Sequence, residues 1–258
     1  MKLFKELYEY RAMIYSLVQR ELRGRYKGSV FGFAWTFLNP LLQLMVYTVV
    51  FSTIMRAGIE DYYLFLFVAL IPWLFFSTSV TGGASCILAQ KDLVKKIYFP
   101  RMVLPIAHVT GAFINMLLSF IVVFAVLFIS GKGVNPAALL YLPIIMIAEY
   151  AFALSMALIC SSTTVYFRDL EHILGIVVMA WQFLTPVMYS VDMVPAKLIK
   201  IFYLNPMTPI ITAYRDILYY KQPPHLGTLF YGFGLSLVLL VIGTIIFNKL
   251  QRNFAEEL

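Results

Sequence analysis

The chain has 258 residues, of which 61% are apolar and 13% charged. Soluble globular domains sit near half apolar and a quarter charged, so the first reading is a membrane-embedded protein. Its 22 Phe, 17 Tyr and 3 Trp exclude a disordered or collagen-like chain, and its net charge of +7 fits either nucleic acid or the inner surface of a membrane.

Residues 1–29 lack the continuous apolar core and small-residue cleavage site of a signal peptide. They carry helical periodicity instead. Leu3, Leu7, Tyr10, Ile14, Leu17 and Val18 fall on one arc, while Lys2, Lys5, Glu9, Ser16, Arg20 and Arg23 fall on the other. Arg11 and Glu21 intrude on the apolar arc, and Gly24 and Gly28 loosen the helix. This pattern predicts an amphipathic helix in the inner headgroup layer, either a simple anchor or a substrate-handling element.

Six apolar runs of membrane-spanning length follow: Val30–Met55, Tyr62–Leu88, Met102–Ser130, Ala137–Thr163, Ile173–Tyr189 and Leu226–Phe247. The expected architecture is all-α and polytopic. It forms a single domain over 1–258, with an interface helix at 1–29, six spans within 30–247 and a cytoplasmic tail at 248–258. Lys and Arg concentrate before the first span and in the second connection (Lys91, Lys95, Lys96, Arg101), whereas the first, third and fourth connections carry only Arg56, Lys132 and Arg168. Long connections weigh little in this rule, so both termini are expected in the cytoplasm.

The second connection, AQKDLVKKIYFPRMVLP from Ala89, reads as a short charged helix with Pro100 and Pro105 at the return into the bilayer. The fourth, Val165 to His172, is equally compact and mixed in charge. Two stiff charged elements on one face suit a docked soluble partner better than solvated turns. Between spans five and six, Leu198–Leu204 and Ile210–Tyr220 read as two short re-entrant helices, the second capped by Thr208 with Pro209 in its first turn.

Chemistry is sparse. Gly131-Lys132 lacks the spacing of a phosphate loop, no GxSxG occurs, and His108, His172 and His225 have no Glu or Cys at ligand spacing. Cys86 and Cys160 lie inside apolar runs and offer neither a disulfide framework nor a metal site. No cofactor, metal or catalytic residue is expected in the chain itself. Glu149 and His108 lie within spans and read either as an interhelical hydrogen bond or as a proton relay. Trp35, Asn39, Gln43 and Tyr47 recur every four residues around Pro40, and Trp181, Gln182, Thr185 and Tyr189 repeat the type near Pro186. Amides and rings in this order suit either a sugar conduit or polar packing between spans.

Four segments carry a resemblance: LVQRELRGRYKGSVFGFAWTFLNPLLQ (Leu17 to Gln43), KDLVKKIYFPR (Lys91 to Arg101), VYFRDLEH (Val165 to His172) and LNPMTPIITAYRDILY (Leu204 to Tyr219). In order and spacing they resemble the ABC type-2 permeases that export bacterial surface polysaccharide, above all the membrane subunits of O-antigen and teichoic acid exporters. The resemblance implies a permease of the bacterial inner membrane that pairs with a second copy of itself and with two separate ATP-hydrolysing subunits, which hold the ATP and magnesium. It implies ATPase coupling by Lys91, Asp92, Lys95 and Lys96, with Arg168, Asp169 and Glu171 as a second contact. Arg20, Arg23, Arg25 and Lys27 would meet the diphosphate of an undecaprenyl-linked glycan. Trp35, Asn39, Gln43, Tyr47, Trp181, Thr185 and Tyr189 would line the channel, and Tyr203, Tyr214 and Arg215 would belong to an external gate. Other classes compatible with the residues are an ion-coupled carrier using Glu149 and His108, and a membrane enzyme acting on lipid-linked glycan.

Overall fold

The structure is a computed structural model that describes residues 2–24, 28–54 and 58–258, apart from the side chains of residues 2–4, 53 and 255. Its helices, in chain order, are α1 (Lys2–Glu9), α2 (Arg11–Gly24), α3 (Trp35–Thr48), α4 (Tyr62–Ser85), α5 (Lys91–Lys96), α6 (Val103–Ile129), α7 (Pro136–Leu139), α8 (Leu142–Tyr166), α9 (Leu170–Phe183), α10 (Ala196–Leu204), α11 (Met207–Leu218), α12 (Leu226–Leu250) and α13 (Phe254–Glu257). No strand occurs among the described residues.

Among the described residues, five stretches are long and apolar enough to cross a membrane: Gly32–Ser52, Tyr62–Ser85, Val103–Ile129, Pro136–Tyr166 and Leu226–Asn253. The expected fifth span differs. Its helix, α9, has 14 residues and rises about 21 Å, short of the roughly 30 Å hydrocarbon core. It stops because Pro186 lies just ahead, and the chain from Leu184 onward turns into irregular backbone.

At the centre, α4 is apolar around its whole circumference and buried on nearly all of it. Phe76 stacks on Phe152 of α8 with centroids 4.9 Å apart, and Trp181 of α9 meets Phe76 edge-on at 5.1 Å. Small residues bring the backbones together elsewhere. A Cβ on Gly83 of α4 would lie 2.8 Å from Ala157 Cβ, and one on Gly243 of α12 would lie 2.8 Å from the Ser155 carbonyl. The polar run of α8 is tolerated because Ser161, Ser162, Thr163 and Thr164 all donate to carbonyls of their own helix. Pro40 leaves the Thr36 carbonyl without its helical donor, and Ser119 Oγ of α6 lies 3.4 Å from that oxygen.

Contacts sort the connections onto two ends. At one end Arg20 donates to Gln90, Arg101 to the Gln251 carbonyl, and Tyr166 Oη to the Leu250 carbonyl at 2.7 Å. At the other, Lys132 pairs with Asp61 at 2.6 Å and Glu60 at 3.4 Å, and Asn135 donates to the Lys221 carbonyl at 2.9 Å. Hydrogen bonds from Lys132 to Asp61 and Glu60 hold its amine above the ordinary range. Asp61 and Lys221 both adopt positive φ, 44° and 57°, so this end concentrates backbone strain.

The N-terminal amphipathic pattern forms two helices broken at Tyr10. Leu17 and Val18 are buried with Ile87, Val103 and Leu104. Glu21, an intruder on the apolar arc by sequence, places Oε1 2.6 Å from His108 Nδ1.

Candidate functional site

Three sets of residues meet the expectations differently. On the end that gathers both chain ends, α5 is anchored by buried Val94 and half-buried Leu93 and leaves Lys91, Asp92, Lys95 and Lys96 exposed, followed by Ile97 and Tyr98, both exposed. Arg168, Asp169 and Glu171 are also exposed, at the start of α9 and a few residues after Tyr166, which is bonded to the tail. Arg23 is exposed in the last turn of α2, and Arg20 is engaged with Gln90 beside α5. Arg25 and Lys27 lie outside the described residues.

The second set is the polar stripe of α3. Trp35 and Asn39 are exposed, and Gln43 donates to Asn39 Oδ1 at 3.2 Å. Tyr47 is half-buried against the main core. The stripe therefore turns from an open surface into the core along its length, since a four-residue repeat drifts around a helix. Trp35 and Asn39 line a groove between α3, α4 and α6 together with Thr78, Asn115 and Ser119. Asn115 escaped the sequence reading. The signal was present, because His108, Gly111, Asn115 and Ser119 share one face of α6 at three- and four-residue spacing.

The expected second wall is corrected. Thr185 is fully buried, donating to the Trp181 carbonyl at 2.9 Å and accepting from Asn205 Nδ2 at 2.9 Å. Trp181 is packed into the Phe76–Phe152 cluster, and Tyr189 Oη donates to the Phe183 carbonyl at 2.6 Å. These side chains close the C-terminal end of α9 rather than facing open space.

The third set is α10 and α11, the two short helices expected between the last spans. Thr208 lies inside α11 rather than capping it, because the helix begins one residue ahead of it with Pro206 at the cap position; Asn205 Oδ1, one residue earlier, accepts from Met207 N at 3.0 Å. Tyr203 is half-buried, but Tyr214 and Arg215 are buried and do not stand at a mouth. Arg215 donates to the carbonyls of Pro186, Val187 and Tyr189, and its guanidinium lies 3.6 Å from the Phe65 ring centroid. Tyr214 Oη donates to Glu149 Oε2 at 2.6 Å. The expected meeting of Glu149 with His108 is thereby corrected. His108 is taken by Glu21 of α2 and by the Thr78 carbonyl at 3.2 Å, while Glu149 serves α11 nearer the opposite end.

Sequence comparisons agree along the whole chain. The sequence model of the ABC-2 type transporter family matches residues 13–219. The chain is 38% identical over 259 residues to an O-antigen export system permease protein of Myxococcus xanthus, covering 100% of this chain and 99% of the relative. It is 35% identical over 248 residues to the protein of the same name in Klebsiella pneumoniae, covering 94% and 93%. A capsule polysaccharide export inner-membrane protein of Neisseria meningitidis is 25% identical over 263 residues, covering 96% and 94%.

Proposed function

This chain belongs to the ABC-2 type transporter family, and we infer from that membership that it is the permease subunit of an ATP-driven exporter of lipid-linked surface polysaccharide. O-antigen is the favoured cargo and teichoic acid the next. Two copies form the channel in the bacterial inner membrane, and two ABC subunits carrying ATP and magnesium drive it. The observation behind this reading is the exposed charged helix α5, standing at the end that gathers both chain ends, in a protein aligned end to end with export permeases. A helix held by one buried and one half-buried residue, with four charges turned outward, suits docking to a soluble motor. Lys91, Asp92, Lys95 and Lys96 then couple, with Arg168, Asp169 and Glu171 flanking them.

Six crossings fit this reading better than five. The N-terminal helices and the tail meet at the same end, so the chain crosses an even number of times. The sixth traverse runs through α9 and the segment Leu184–Tyr189, whose carbonyls Arg215 gathers. Both termini lie in the cytoplasm on this view, with α10 and α11 in the outer leaflet. The cations Arg20, Arg23, Arg25 and Lys27 border the inner entrance and offer guanidinium forks to diphosphate oxygens.

Deleting the gene from its own bacterium should remove long surface polysaccharide from the outside and leave lipid-linked glycan inside, with both effects reversed on restoring it. Unchanged surface polysaccharide in the deletion strain would refute the reading.

A further inference from the structure

The groove between α3, α4 and α6 sits at a definite level. Glu21 pairs with His108, and a Cβ on Gly111 would lie 3.5 Å from the Glu21 carboxylate. The interface helix α2 therefore runs beside the first part of α6, and Asn115, one turn beyond Gly111, stands just above it. Trp35 lines the same groove, at the depth where an indole suits a membrane–water boundary.

Within this groove Asn115 is anomalous. Both atoms of its amide, Oδ1 and Nδ2, are buried, and neither has a partner among the described residues. An amide with donor and acceptor both unused is costly in apolar surroundings, so it calls for a ligand presenting both functions side by side. Neighbouring hydroxyls of a sugar do so, whereas a phosphate dianion offers only acceptors and an acyl chain offers neither. The exposed Asn39 amide adds a second reader, and the Trp35 ring supplies a flat face for the C–H side of a pyranose. Access to the withdrawn amide requires α3 to step aside, and α3 is the least buried of the long helices and carries Pro40.

We propose that this groove is a pyranose subsite at the inner membrane boundary, with Asn115 and Asn39 bonding ring hydroxyls and Trp35 packing on the ring. The identity of the natural occupant, the sugar nearest the lipid anchor, rests on the exporter reading. The contact with a pyranose does not.

The test uses the full chain in lipid nanodiscs and saturation-transfer difference NMR, with hexyl β-glucoside as probe and hexyl phosphocholine as control. Ring protons of the glucoside should receive saturation from the native chain, falling about threefold or more in Asn115→Leu, which keeps the size and removes the hydrogen bonds. Trp35→Leu should act similarly, and Asn115→Gln should retain part of the transfer. Asn39→Leu, at an exposed position, should weaken it in a chain whose folding is not at stake. Equal ring transfer in folded Asn115→Leu and native protein, transfer confined to the hexyl chain, or equal transfer to the phosphocholine headgroup would overturn the subsite. Surface polysaccharide that survives gene deletion would instead overturn the exporter reading and leave the ring contact as measured.

Discussion

Each deeply buried charge in this bundle is fixed by a specific partner. Arg215 is 3% exposed and gathers carbonyls from Pro186, Val187 and Tyr189, oxygens that no helix satisfies because α9 has ended. A planar fork reaches several acceptors at once and a lysine ammonium cannot, so Arg215→Lys should lower folded yield and thermal stability far more than removing an exposed cation such as Lys197. Melting of the purified variants in one detergent decides this, and equal melting would show that the carbonyls find other donors. Glu149 poses a related problem, since Tyr214 is its one partner among the described residues. Tyr214→Phe should cost about 1–3 kcal/mol by leaving a buried carboxyl without its donor. Glu149→Gln keeps an acceptor at the same place and should cost less. Equal losses for the two variants would mean that ring packing on Phe120, at 5.7 Å, and not the hydrogen bond, holds α11.

Among the elements, α4 and α12 meet α8 through glycine, at Gly83 and Gly243. Gly243→Ala would drive a methyl to 2.8 Å from the Ser155 backbone oxygen, which cannot retreat without moving the helix. A loss of about 1–3 kcal/mol is expected, against little change for Gly234→Ala, where nothing lies within 4 Å. Comparative unfolding in one detergent checks it. Helix α5, proposed above as the coupling element, obeys a different rule, because its charges are exposed. Reversing Lys95 and Lys96 to Glu should leave expression and melting unchanged while disconnecting ATP hydrolysis by the assembled transporter from export. A double variant that exports normally would remove α5 from the coupling path. Such elements are legible in sequence for a physical reason: a long apolar run has one reading in a bilayer, and an isolated charged hexapeptide followed by prolines has few. What escapes is non-local. The path of the chain after Phe183 is held by Arg215, some thirty residues downstream, which bonds the carbonyls of Pro186, Val187 and Tyr189, and Thr185 reads as a lining residue until Asn205 is seen to bond it. Glu21 reads as an error in the apolar arc because its partner, His108, lies in another helix. Glu149 and His108 invite pairing only because both are polar residues in apolar runs.

For the whole molecule, the decisive property is which end each connection occupies. Arg101 bonded to Gln251, and Tyr166 bonded to Leu250, tie the second and fourth connections to the tail, while Arg20 ties the N-terminal helix to the same end through Gln90. Lys132, clasped by Asp61 and bonded through its carbonyl by Lys221, belongs to the other. An odd number of crossings would separate the tail from the N-terminal helix and break these contacts; on the six-crossing reading proposed above, the segment that Arg215 holds completes the short α9. Single cysteines test this with a maleimide too polar to cross a bilayer. Cysteines in place of Lys95 and Arg252 should label only in inside-out vesicles, and one in place of Lys132 only in right-side-out ones. The native Cys86 and Cys160 are buried and should stay silent in both. Labelling of positions 95 and 252 from opposite sides would leave five crossings and overturn the proposed docking face. Labelling of both from the outside would keep six but invert the protein, placing α5 where no ATP-driven partner could reach it.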